Sequence, residues 1–133
     1  MPSASCLCGA FRTTVEGSFG EVRYCHCRQC RRGNGSAFST NARIDRSQWT
    51  IEGPREAITE FEFRPGRYKA FCARCGSPLY ARSDADPSDV RVRLGGFEGE
   101  LDVTITGHVW TDSKAGWHRI EGDLPCHPEA ISR

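Results

Sequence analysis

Hydrophobic positions along this chain recur at every second residue, in short runs cut by turn formers. Phe61 and Phe63 alternate with Glu60, Glu62 and Arg64, and Val90, Val92 and Leu94 alternate with Arg91 and Arg93. A two-residue period sends successive side chains to opposite faces, so each run reads as a half-exposed β-strand. The same texture returns in "FRTTVEG", "EVRYCHC", "SAFSTNARI", "WTIEG", "RYKAFC", "PLYARS" and "LDVTITGHVW", all bounded by Gly, Pro, Asp or Asn. Arg64-Pro65-Gly66-Arg67 offers Pro and Gly as the central pair of a type II turn, which predicts a hairpin returning from Tyr68 to Phe71. Helix is scarce. One short helix is expected from about Arg28 to Arg32, stopping at Gly33, and Pro87-Ser88-Asp89 makes one turn at most. With no repeat and no linker, the pattern predicts a single mainly β domain over residues 1–133, built of short antiparallel strands in packed sheets.

Composition sharpens this picture. The 133 residues are 38% hydrophobic with a mean hydropathy of −0.54, so strands this short need something besides a core to hold them. No run approaches the roughly 18 apolar residues that span a membrane, and "MPSASCLCGAF" lacks the basic start and apolar stretch of a secretory signal. The expectation is a cytoplasmic protein with no membrane partner. The net charge of +1 argues against a nucleic-acid partner, whose affinity would come from clustered positive charge. Arg28, Arg31 and Arg32 form a local basic run, read by itself as a solvated face. Composition leaves the oligomeric state open.

Cysteine usage changes the picture most. Of eight cysteines, seven fall into three clusters: Cys6 and Cys8 before Gly9; Cys25, Cys27 and Cys30; and Cys72 and Cys75 before Gly76. Cys126 stands apart. Cysteines one or two residues apart make chelating arms, and a following glycine lets the backbone turn tightly over the ion. The simplest partition joins Cys6 and Cys8 to Cys72 and Cys75 as a closed four-cysteine zinc site, leaving Cys25, Cys27 and Cys30 as a second group. Spacing alone leaves other pairings open. Disulfides fit poorly with a C-x-C pair and no signal sequence, and a thioredoxin-like role for Cys72 and Cys75 would want a βαβ context.

The motifs "CLCG", "YCHCRQCRRGNGSAF", "FCARCGSPLY" and "HVWTDSKAGW" followed by "DLP" run in order from Cys6 to about Pro125. Together they resemble the glutathione-dependent formaldehyde-activating enzyme (GFA) family, also called the centromere-protein-V domain. The resemblance implies a β fold like that of the Rab-binding zinc chaperones. It implies a structural zinc on Cys6, Cys8, Cys72 and Cys75, and a second, catalytic zinc on Cys25, Cys27 and Cys30. The implied activity is that of a carbon–sulfur lyase joining glutathione to formaldehyde as S-hydroxymethylglutathione, or the reverse.

The chemistry of three thiolates agrees with such a role. Three around one Zn²⁺ leave a net charge of −1, which suits water activation poorly and suits a fourth ligand that is itself a thiol. Coordination would ionise that thiol for attack on an aldehyde carbon. Arg28, Arg31, Arg32 and Lys114 could meet the carboxylates of glutathione. His26 is expected to point away from the ligands flanking it, as a surface histidine or, less readily, a general acid/base. His108, His118, His127 or Cys126 could each complete the second site, Cys126 more readily being a tail thiol. Trp110 and Trp117 read as core or pocket wall. The rival readings are a non-catalytic zinc module that binds a protein or ligand, and the same lyase chemistry on another thiol.

Overall fold

The computed structural model describes residues 1–130, and short strands make up most of its regular structure. In chain order these are β1 (Ser3–Ser5), β2 (Arg12–Val15), β3 (Val22–Cys25), helix α1 (Arg28–Asn34), β4 (Ser39–Asp45), β5 (Trp49–Glu52), β6 (Ile58–Arg64), β7 (Arg67–Cys72), β8 (Pro78–Ser83), β9 (Asp86–Arg93) and β10 (Ile105–Val109). The fold is mainly β, as the alternation predicts. No helix among the described residues is long and apolar enough to cross a membrane.

The chain divides into two units. The first comprises Met1–Gly20 and Ala42–Asp102, the second Glu21–Asn41 and the chain from Val103 onward. In the first unit, β1, β2 and β5 form an antiparallel sheet, with Ser3 opposite Thr14 and Val15 opposite Trp49. A second sheet runs in the order β9, β8, β7, β6, edged by residues 42–45 of β4. The predicted hairpin is β6–β7, antiparallel with Arg64 opposite Arg67, and Gly66 takes the positive φ of 74° that its turn requires.

The core of this unit draws on both sheets. Cys6, Phe11, Ala57, Ala70, Cys72 and Leu79 are buried together, with Ile51, Ile58 and Tyr80 packed against them. Burying a side chain such as Phe11 or Leu79 stabilises by about 1.5–3 kcal/mol. Few residues of that size are present, so two cysteines complete the cluster.

In the second unit β10 pairs with β3 in parallel, His108 opposite Tyr24 and Val109 opposite Cys25. This is a parallel pair within the mostly antiparallel pattern expected, and the long Ala42–Asp102 segment between the two strands supplies the crossover that a parallel pair needs. Two local expectations are also corrected. Helix α1 does not stop at Gly33 but runs to Asn34, and Gly35 (φ 67°) ends it by returning its N–H to the Arg31 carbonyl. An interior glycine costs about 1 kcal/mol relative to alanine, which Arg and Gln around it offset as good helix formers. Pro87-Ser88-Asp89 lies within β9, where Ser88 Oγ donates to Asp86 Oδ1 and Arg43 pairs with both Asp86 and Asp89.

Candidate metal centres

Cys6 and Cys8 lie on the loop from β1 to β2, and Cys72 and Cys75 at the turn from β7 to β8. The structure brings their four ligand atoms within 4.8 Å of one another. The sulfurs of Cys6 and Cys8, and of Cys8 and Cys72, are each 3.7 Å apart. Thiolates at the corners of a tetrahedron with zinc–sulfur bonds of 2.3 Å would be about 3.8 Å apart, so the donor set fits that ion. Two similar turns create the arrangement. Gly9 (φ 79°) donates its N–H to the Cys6 carbonyl, and Gly76 (φ 76°) donates to the Cys72 carbonyl. The Phe11 N–H points at Cys6 Sγ, 3.3 Å away. Ser77 ties the two turns together, since its Oγ accepts from the Leu7 N–H at 2.9 Å and lies 3.2 Å from Cys75 Sγ. Contact with the Ser77 side chain and then its backbone holds the Cys75 thiol down at about 5.

The second cluster grows from the junction of β3 and α1. Cys25 closes the strand, Cys27 is the residue that caps the helix, and Cys30 is the buried residue of the helix. Cys27 Sγ accepts the Cys30 N–H at 3.3 Å, so the same sulfur caps the helix and faces its fellow thiols. All three sulfurs lie within 4.8 Å of one another, and among the described residues no fourth His, Cys, Asp or Glu joins the set. The neighbouring Cys27 and Cys30 thiols, and then burial, push the Cys25 thiol far above its ordinary range. Three thiolates this close cannot all carry charge without a cation among them, and three soft sulfur donors suit zinc.

Helix α1 carries the basic run on the same turns as Cys30. Arg28, Arg31 and Arg32 line a cavity of about 450 Å³ together with Gly35, Ser36 and Trp117. Arg31 Nη1 also donates to the Ser113 carbonyl at 2.9 Å. Trp117 is 74% exposed, so it is wall rather than core. Lys114 does not line this cavity; its Nζ donates to the carbonyls of Ala115 and His118. Trp110, just after β10, is held at φ 58°, a left-handed conformation unusual for a residue with a side chain.

The histidines correct the sequence reading. His26 is fully buried, not a surface residue. Its Nε2 lies 2.9 Å from His108 Nδ1, its ring packs against Phe38, His108 and His118, and its buried Nδ1 has no partner among the described residues. Burial, and then the nearby His108, push its imidazole down to about 4, which keeps it neutral. The alternation holds only the direction: with Cys25 and Cys27 turned to one side, His26 falls on the other, and His108, 82 residues away, helps to make that side core. Neither His108, His118, His127 nor Cys126 joins the three thiols. Cys126 is exposed, bridges to the His108 backbone, and directs its Sγ to the Leu124 carbonyl.

Comparison with known proteins supplies the context for this geometry. Residues 1–113 match the model of the family described as glutathione-dependent formaldehyde-activating enzyme. Among solved structures, the crystal structure of a Rhodobacter sphaeroides protein is similar, with a TM-score of 0.62 and 25% identity. The match covers 75% of this chain and 91% of that one. A search of curated proteins finds no match.

Proposed function

The chain belongs to the glutathione-dependent formaldehyde-activating enzyme family, and from that premise we propose that it is a zinc-dependent carbon–sulfur lyase. Its expected reaction is glutathione plus formaldehyde to S-hydroxymethylglutathione, or the reverse. The observation that carries this reading is the contrast between the two clusters. Four thiols, two from the β1–β2 loop and two from the β7–β8 turn, can close a tetrahedral site by themselves, two of them embedded in the core. Three thiols at the β3–α1 junction leave one position for an outside sulfur. The first set suits a structural zinc and the second a working one, two per chain.

In the forward direction the substrate sulfur forms a bond to the formaldehyde carbon, the carbonyl π pair moves to oxygen, and the thiol proton ends on that oxygen. The reverse breaks the same carbon–sulfur bond. Zinc held by Cys25, Cys27 and Cys30 would supply the positive charge that ionises the incoming thiol near neutral pH. The chain's own residues bind and orient. Arg28, Arg31 and Arg32 offer forked donors that match carboxylates, and glutathione carries two carboxylates. Trp117 gives the cavity an apolar wall. Lys114, engaged with its own loop, is assigned no substrate contact. His26, neutral and buried against His108, backs the cysteine segment from the core side.

The test is a titration of glutathione into protein carrying cobalt in place of zinc, read by the sulfur-to-cobalt absorption, alongside formaldehyde consumption. A saturable spectral change and glutathione-dependent consumption are expected. If neither responds to glutathione, and screening other thiols gives none that does, the lyase reading fails in favour of a non-catalytic zinc module. A response to a different thiol keeps the chemistry and changes the substrate.

A further inference from the structure

Cys25 and Cys27 can serve one ion only while the residue between them points the other way, and that residue is His26. Alternate side chains of an extended segment share a face, so whatever holds the His26 ring helps to hold the direction of both sulfurs. The backbone supplies part of this. The His26 N–H donates to the Val109 carbonyl at 3.0 Å, and Cys25 stands opposite Val109. The ring itself enters a group of four others. Its centroid lies 5.2 Å from that of Phe38, 5.1 Å from His108 and 6.0 Å from His118, while Tyr24 packs on both Phe38 and His108.

Ring packing alone leaves an imidazole free to turn over. A hydrogen bond removes that freedom here, since His26 Nε2 lies 2.9 Å from His108 Nδ1 and the two nitrogens share one proton. His26 Nδ1 is buried with no partner among the described residues. An orphaned N–H is rarer in protein interiors than an orphaned acceptor, so the proton belongs on Nε2, which donates, and His108 Nδ1 accepts. His108 makes a firm anchor. Its N–H donates to the Pro125 carbonyl and its carbonyl accepts from the His127 N–H, both at 2.9 Å. Gly107 lets that segment close in, because a Cβ there would sit 2.8 Å from the Pro125 carbonyl oxygen. Two buried imidazoles cost more desolvation than two apolar rings, whereas one donor facing one acceptor defines an orientation.

We propose that His108 is a positioning residue of the three-thiol centre: by accepting the His26 Nε2–H, it holds the Cys25–Cys27 segment with both sulfurs turned to one metal ion. His108 is not among the ligand atoms of that centre and acts through His26. This deepens the reading of the centre given above and rests on its binding a metal.

The experiment measures metal binding by the full chain through chelator competition, with the sulfur-to-cobalt absorption of the cobalt form as a second readout. The metal of the three-thiol centre is the one that Cys27→Ser loses. His108→Phe keeps a ring beside Tyr24 and His26 but offers no acceptor. It should weaken that metal about 10-fold or more and alter its sulfur-to-cobalt bands, with the other metal bound as in the parent. His108→Asn returns an acceptor oxygen near the place of Nδ1 and should bring the affinity back toward the parent's. In the zinc-loaded parent, the ¹⁵N shifts of the His26 ring should show a proton on Nε2 and none on Nδ1, a readout that holds even where His108→Phe fails to fold. Parent-like affinity in His108→Phe, no recovery in His108→Asn, or a His26 ring protonated on Nδ1 overturns the proposal and leaves the reading of the centre intact. A parent chain that binds one metal alone overturns both.

Discussion

The Leu7 amide donates to Ser77 Oγ across 2.9 Å, joining the Cys6/Cys8 turn to the Cys72/Cys75 turn by a bond that involves no cysteine. With the hydroxyl accepting from Leu7, its own proton is free to face Cys75 Sγ, 3.2 Å away. Ser77 thus orients one ligand of the four-thiol cluster from outside it. Ser77→Ala should lower zinc affinity at this centre about 10-fold or more, as measured by chelator competition. Affinity equal to the parent chain's would show that the bond is incidental to the metal.

The two clusters should respond differently to losing a ligand. Cys72 is fully buried in the core of the first unit, and a structural zinc contributes about 10 kcal/mol or more to domains whose whole stability is about 5–15 kcal/mol. Cys72→Ser is therefore expected to abolish cooperative unfolding near room temperature. Cys27→Ser removes a ligand of the second cluster but leaves a hydroxyl at the position that caps α1, a role serine fills well. That variant should keep the parent's far-ultraviolet dichroism while bound zinc falls from two to one per chain by mass spectrometry. Unfolding of Cys27→Ser would make the second cluster structural as well.

What the sequence shows and what it hides divides along physical lines. The hairpin at Pro65-Gly66 and the alternation of Val90 and Val92 are local, and both are visible in the order of residues alone. The cysteine clusters are visible because chelating arms are short. Strand β1 escapes notice because Ser3, Ala4 and Ser5 carry no β-forming pattern; they pair with Arg12, Thr13 and Thr14 through the backbone and one side-chain bond, from Arg12 Nη2 to Ser3 Oγ. The parallel β10–β3 pairing and the burial of His26 depend on residues more than eighty positions away, beyond any local period.

The basic cavity yields a kinetic expectation. Arg32 lines it with no side-chain bond among the described residues, whereas Arg31 also holds the Ser113 carbonyl. Arg32→Gln should raise KM for glutathione about tenfold, the loss of one charge-assisted contact, with kcat and zinc content near the parent values. An unchanged KM would remove Arg32 from the substrate contacts.

Glu60 gives a pH dependence with a defined sign. Hydrogen bonding from Arg82, followed in size by the opposing effect of burial and by the Tyr80 bond, holds its carboxyl below the usual range in the folded chain. A depressed folded pKa contributes stability that is fully present above the unfolded value, about 4.3, and is lost as pH falls through the folded value. Glu60→Gln should thus be less stable than the parent at pH 7, and the gap in urea midpoint should close as pH falls below about 4. A gap that stays constant down to acid pH would assign the effect to shape rather than charge.

The interleaved path of the chain also has a consequence for synthesis. All four thiols of the first unit's cluster have been made once the ribosome has passed Cys75. Strand β3, which carries Cys25, must wait for β10, since Val22 and Thr106 stand 84 residues apart. Pairings this distant close slowly, because the loop entropy is spent before any contact offsets it. A metal held by those four thiols could therefore bind while Cys25, Cys27 and Cys30 still lack the β10 side of their sheet. On this schedule the four-thiol centre can assemble before the three-thiol one, so a chain stalled before β10 should already bind the first of the two proposed metals.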